Sequence, residues 1–302
     1  MALDGLWQVA FPDGGSYDAR GWVPRETVVL RVALFLALFL CVWCVLLLVL
    51  KALHSSEKLH GVGLAVWALK GMIVFHHAIA GLWALSVVCG DSVLWQTLSF
   101  GGGQEEARRM LVVHPERGTE SAAFLVPFTV AYMVADLVLF PCWAKDSETL
   151  LFIFHHLFSI FLWSEGLRYD CGQRYAVYLI GTELTGPYLV FRWMLSQVGM
   201  KTTMLYYVNG TIFTLLFMVV RVVPILAILR STVLYFPLRE PWKVDPPSLY
   251  IRTVQIFGCL AIYLPLLLNA YWAVKVVKGY AKAVQSAFKS GDETKEKKKK
   301  GQ

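Results

Sequence analysis

Residues 28–50 read VVLRVALFLALFLCVWCVLLLVL. A helix of about 20 apolar residues crosses the hydrocarbon core of a bilayer, and this run is longer than that. Working outward, six further apolar runs follow at about 61–89, 122–143, 149–166, 175–197, 204–229 and 250–274. Inside lipid a backbone has to satisfy its own N–H and C=O groups, which leaves helices or closed barrels. None of the runs shows the ten-residue alternation of a barrel strand. The expected fold is therefore all-α: a multi-pass transmembrane helical bundle of about seven spans.

Composition agrees. The chain is 57% hydrophobic and 16% charged, against about a quarter charged for a soluble domain. The net charge of +7 is concentrated at the extreme C-terminus. No basic stripe interleaved with aromatics accompanies it, so the charge points to a tail beside anionic lipid and not to nucleic-acid binding. Of the six cysteines, Cys41 and Cys44 have CxxC spacing but lie in an apolar run without the further ligands that zinc needs, so no metal site is expected. No bound cofactor is expected either.

The expected organisation is an N-terminal lumenal segment over 1–27, a first transmembrane helix and loop over 28–59, a six-span domain over 60–280, and a basic cytosolic tail over 281–302. The tail, with Lys275, Lys278, Lys282, Lys289, Lys295 and the lysines at 297–300, is placed in the cytosol by the positive-inside tendency. Its polar composition predicts disorder. Seven spans then put the N-terminus in the lumen. That topology sets Cys89 and Cys171 on the same lumenal side, which permits a disulfide without requiring one. Lys299 and Lys300 stand fourth and third from the end, a pattern similar to the dilysine signal that cytosolic coat proteins read to retrieve membrane proteins to the endoplasmic reticulum. The sequon Asn209-Gly210-Thr211 falls inside a span and is read as accidental.

Charges within spans are costly and face the protein interior. Here they are Asp136, Glu183, Arg192 and Arg221, with His76, His77, His155, His156, Asn209 and Asn269 as polar companions. At about 1.5 Å rise per residue, Asp136, His155, Arg192, Asn209 and Asn269 share a level roughly 7 to 11 Å from one membrane face. Glu183, His76 and His77 lie near roughly 20 Å, with Arg221 slightly deeper. Two polar layers are thus expected, each gathered from several helices. Within FIFHHLFSIFLW, at 152–163, adjacent histidines differ by about 100° around the helix, so one lines a cavity while the other bonds to a neighbour. Asp136 with Arg192 and Glu183 with Arg221 are candidate ion pairs. The same groups also suit plain helix–helix glue.

At these residues the chain resembles the TLC domain family, which takes its name from TRAM, longevity-assurance and ceroid lipofuscinosis proteins. The likeness rests on AGLWAL at 80–85, LF-x-x-HHLF ending at Phe158, and Glu183-Leu-Thr-Gly-Pro187 followed by Trp193-Met194-Leu195. Asn209, Arg221 and Leu268-Asn269-Ala270-Tyr271-Trp272 complete it. The lipofuscinosis type eight branch is the nearest likeness. The resemblance implies a multi-pass protein of the endoplasmic reticulum membrane, cycling to the intermediate compartment before the Golgi and engaged with membrane lipid. Ceramide synthases of the family carry further acidic residues after the paired histidines. YLIGTELTGPY at 178–188 offers only Glu183, which disfavours that reaction.

Two function classes follow. One is acyl transfer from acyl-CoA, as co-substrate, to a lipid acceptor. His155, His156 and Asp136 would be catalytic, and Arg192, Glu183, Asn209, Arg221 and Asn269 would bind substrate. The other is a non-enzymatic lipid sensor, or a receptor that carries cargo proteins out of the reticulum, with coat proteins engaged through the tail.

Overall fold

The computed structural model describes residues 24–53, 63–111, 121–139, 149–168, 172–231 and 263–300, with single positions at 249, 253 and 257. The N-terminal segment as far as position 23, most of the 230–249 loop, most of the first half of the seventh run, and Cys171 lie outside the described residues. All the described elements are helical. The order is α1 Arg25–Ala52, α2 Leu64–Gly90, α3 Ser92–Leu98, α4 Gln104–Leu111, α5 Ala122–Val138 and α6 Thr149–Arg168. Then come α7 Gln173–Gly181, a 3₁₀ turn Thr182–Thr185, α8 Gly186–Gln197, α9 Met204–Phe217, a π-helical turn Met218–Val222, α10 Val223–Arg230 and α11 Tyr263–Lys300.

Among the described residues four segments are long and apolar enough to cross a membrane: Arg25–Ala52, Leu64–Gly90, Leu150–Leu167 and Met204–Arg230. The chain is an all-α, multi-pass membrane bundle. α5 is shorter, yet it is buried on every face, from Ala122 to Asp136. It forms the axis, with α1, α2, α6 and α7 packed around it. The outer helices keep a lipid-facing side. On α6, Phe154, Leu157 and Phe161 are exposed while His156 and Ser159 are buried. On α9, Val208, Ile212 and Leu215 are exposed while Asn209 and Phe213 are buried.

Three prolines interrupt the helical ladder, and each carbonyl they deprive of a donor finds another. A proline lacks the N–H that would bond the carbonyl four residues back, and an unpaired carbonyl in lipid costs several kcal/mol, roughly. Pro127 frees the Ala123 carbonyl, which accepts from the Arg31 guanidinium on α1. Pro187 frees the Glu183 carbonyl, which accepts instead from the Gly186 N–H and so closes the 3₁₀ turn. Pro224 frees the Val220 carbonyl, which accepts from the Tyr178 hydroxyl at 3.2 Å.

The run expected as one span at 175–197 is therefore α7, a 3₁₀ turn and α8. Thr182 and Thr185 reinforce the break by donating to the Leu179 and Thr182 carbonyls at 2.6 and 2.9 Å. The tail also differs from expectation: α11 continues as helix to Lys300. Its Ala, Lys, Glu and Gln residues are good helix formers, and propensity summed over so many of them outweighs the charge.

At one end of the bundle a buried ion pair fastens the connection after α2. Asp91 caps α3 by accepting from the Val93 and Leu94 N–H groups at 2.9 and 3.0 Å. Its other oxygen accepts from Arg174 Nε at 2.8 Å, and Arg174 also donates to the Arg109 carbonyl at 3.0 Å. Cys89, close by, is an exposed free thiol.

Candidate functional site

The helix interruptions aim polar side chains inward. Glu183 sits in the 3₁₀ turn, and Arg221 sits in the π-helical turn; such a turn shifts a residue around the helix and recurs at functional sites. Both face a cavity of about 480 Å³ enclosed by α2, α5, α6, α8, α9 and α11. That volume lies within the about 300–1,000 Å³ of small-molecule sites. Its wall is mostly apolar, with Phe152, Phe213 and Phe217 prominent, and carries His77, Tyr132, His155, His156, Arg192 and Arg221 besides Glu183.

The two histidines of α6 divide their tasks. His156 is 3% exposed. Its Nδ1 donates to the Phe152 carbonyl at 3.2 Å, one helical turn back, and its Nε2 faces Asp136 Oδ2 at 3.2 Å. The latter contact has ion-pair distance but lies off the line of a hydrogen bond, and neither Asp136 oxygen has a hydrogen-bond partner among the described residues. Both nitrogens of His156 are thus turned to protein. His155, a residue earlier and about 100° away, faces the cavity edge-on to Trp272, with ring centroids 6.1 Å apart.

The opposite wall holds a second group. His77 Nε2 lies 3.2 Å from Glu183 Oε2 and 3.3 Å from the Tyr132 hydroxyl. Glu183 Oε2 is also 4.0 Å from Arg221 Nη2. Arg221 is tied down by donating to Thr185 Oγ1, Asn269 Oδ1 and the Thr182 carbonyl at 3.1, 3.1 and 3.0 Å. The His77 ring packs against the backbone of Gly186, where a Cβ would overlap its Nδ1. His76, wholly buried, stacks on Tyr132 with centroids 3.8 Å apart.

Of the residues singled out in the sequence, His155, His156, Glu183, Arg192 and Arg221 meet at this one cavity. Asp136 stands behind His156, and Asn269 behind Arg221. Asn209 donates to the Tyr188 carbonyl at 2.9 Å and holds α8 to α9; its side chain is buried. The two expected layers are linked, because Arg221 reaches Asn269. Asp136 meets His156 and not Arg192, whereas the Glu183–Arg221 approach is present with His77 closer to the carboxylate. Tyr132, Thr185 and Tyr280 line the cavity and were not picked out; Trp272, quoted above only within the family motif, and Lys275, read only as a tail lysine, line it too. Tyr132 carries a readable signal, since it lies one helical turn before Asp136 on the same face.

A family model for the TLC domain matches residues 66–278, more than half of the chain. The chain belongs to the TLC domain family. TLC domain-containing protein 4-B of Danio rerio is 25% identical over 167 residues, which cover 54% of this chain and 60% of that relative. The TLC match takes in every helix that encloses the cavity, from α2 into α11. It leaves the whole of α1 outside, the helix that braces α5 through Arg31.

Proposed function

We propose that this TLC protein acts in lipid metabolism at the endoplasmic reticulum membrane, transferring an acyl group from acyl-CoA to a lipid hydroxyl within the cavity. The observation that carries this is the buried Asp136–His156 pair beside a cavity-facing His155 in a largely apolar chamber. The chamber suits an acyl chain, and imidazole is the commonest side chain for proton transfer in such a reaction. A His155 ring nitrogen takes the proton of the acceptor hydroxyl as its oxygen bonds to the thioester carbonyl carbon. The carbon–sulfur bond then breaks, and the leaving thiolate takes that proton from the imidazolium. Hydroxyl plus thioester gives ester plus thiol, with the base regenerated. His156 and Asp136 fix the helix face that presents His155. Glu183 and Arg221, with Asn269 behind, shape the far wall. Arg192 and Asn209 stand at the α8–α9 side. The likeness to the lipofuscinosis type eight branch points the same way, and so does the dilysine pattern at Lys299 and Lys300, through which coat proteins would return the chain from the intermediate compartment.

The test uses the full chain in lipid nanodiscs, labelled acyl-CoA and a panel of hydroxyl-bearing lipids. Transfer is expected, with His155→Ala abolishing it and His156→Ala reducing it. Transfer by His155→Ala at the wild-type rate would overturn the assignment. Absence of transfer from preparations that still bind acyl lipid would favour the sensor or cargo-receptor role.

A further inference from the structure

Beside the main cavity lies a smaller one of about 290 Å³, in the groove between α9 and α11. Met204, Tyr207 and Thr211 line it from α9, and Tyr280, Ala283 and Val284 from α11. Both sets follow helical three- and four-residue spacing, so each helix turns one continuous face to the groove. Arg192 and Tyr280 are shared by the two cavities. The guanidinium carbon of Arg192 lies over the Tyr206 ring, 4.4 Å from its centroid. It rests against the backbone of Gly210, where a Cβ would overlap Nη1. No acceptor contact is found for it among the described residues, unlike Arg221, which has three. A guanidinium held over a ring and against backbone, on the lining of both cavities, is preorganised for the two-oxygen grip that phosphate offers.

We propose that Arg192, held in the Gly210–Tyr206 notch, is an anion site for the phosphate of an amphipathic ligand whose acyl chain enters the larger cavity. The ligand is either a lysophospholipid acceptor or the nucleotide end of the acyl donor; the phosphate chemistry is common to both. This rests on the acyl-transfer reading only for the ligand's identity, because the site itself is read by binding.

The test is equilibrium binding to the full chain in nanodiscs of neutral lipid, with lysophosphatidate, monoacylglycerol and coenzyme A as probes. Lysophosphatidate or coenzyme A is expected to bind at least tenfold more tightly than monoacylglycerol. Competition between the two phosphate probes says which source the site takes. Arg192→Gln should erase that advantage, and Arg192→Lys should keep part of it. Gly210→Ala should weaken phosphate binding severalfold by pushing the guanidinium aside. Thermal unfolding of Gly210→Ala in detergent, expected within a few degrees of wild type because the overlap falls on the far end of a flexible side chain, separates that loss from a weakened fold. His155→Ala should keep the preference for phosphate over neutral probes even where transfer is lost, which separates this site from the catalytic reading. Equal affinity for charged and neutral probes, or full phosphate binding by both Arg192→Gln and Gly210→Ala, would overturn the proposal.

Discussion

Gly186→Ala gives a sharp test of the packing on which the cavity depends. Gly186 opens α8, and in a helix the exchange by itself gains about 1 kcal/mol. Here a Cβ at this position would overlap the His77 ring. The ring cannot stay where it is, and displacing it gives up its approaches to the Tyr132 hydroxyl and Glu183, at 3.3 and 3.2 Å. Overpacking a well-filled interior costs about 1–3 kcal/mol, and the lost hydrogen bond adds about 1. Set against the helical gain, the net is a destabilisation of about 1–3 kcal/mol. The assay is thermal unfolding of the full chain in a mild detergent, repeated in a His77→Ala background. With the imidazole gone the overlap goes too, so there Gly186→Ala should be neutral or stabilising, and the cycle isolates the pair. A Gly186→Ala variant at least as stable as wild type, or an equal penalty in both backgrounds, would refute the reasoning.

Further outcomes follow from the same contacts. Tyr178→Phe deprives the Val220 carbonyl of its donor. It should lower stability by about 1 kcal/mol, between the average of about 0.6 and the maximum of about 1.7 for hydrogen bonds between membrane helices, as read by unfolding in detergent. Asp91→Asn should keep most of the α3 cap but lose the charge opposite Arg174, and Asp91→Ala should lose both. The alanine variant is expected to be less stable than the asparagine one by about 1 kcal/mol, the usual worth of a cap, in the same assay. Asp136→Asn keeps the shape but gives up the carboxylate that faces His156 Nε2 at 3.2 Å, so it should unfold earlier than wild type in the same assay, as expected for breaking one side of a buried pair. It should also slow acyl transfer, measured with labelled acyl-CoA, and by less than His155→Ala does.

Four of the seven expected spans stand among the described residues, readable because length and apolarity decide what crosses a bilayer. The breaks were less so. Pro187 and Pro224 stand in plain view, but the sequence does not say that the Gly186 N–H and Tyr178 will take up the freed carbonyls. Depth counting rightly brought polar groups of separate helices together. It set Arg221 apart from Asn269 because a uniform rise ignores helix tilt, the reach of an arginine side chain and the extra residue of the π-helical turn. The division between the two histidines follows from the 100° step between neighbours, yet which of them meets Asp136 depends on the rotation of α6 against α5. Arg31 escaped notice inside the most apolar run of the chain. It is wholly buried, its guanidinium 3.8 Å above the Phe124 ring, and its role becomes visible only beside the carbonyl that Pro127 frees.

The central claim is that charged and imidazole groups from different spans enclose one chamber that holds an acyl chain. A fatty-acid probe with a photoreactive group along its chain, given to the full protein in nanodiscs, reads this directly by peptide mapping. Labelling should concentrate on Phe213 and Phe217, both buried and lining the cavity, and excess unlabelled acyl-CoA should compete it away. Labelling confined to outward-facing residues such as Leu48 and Leu226, and unaffected by acyl-CoA, would contradict the account.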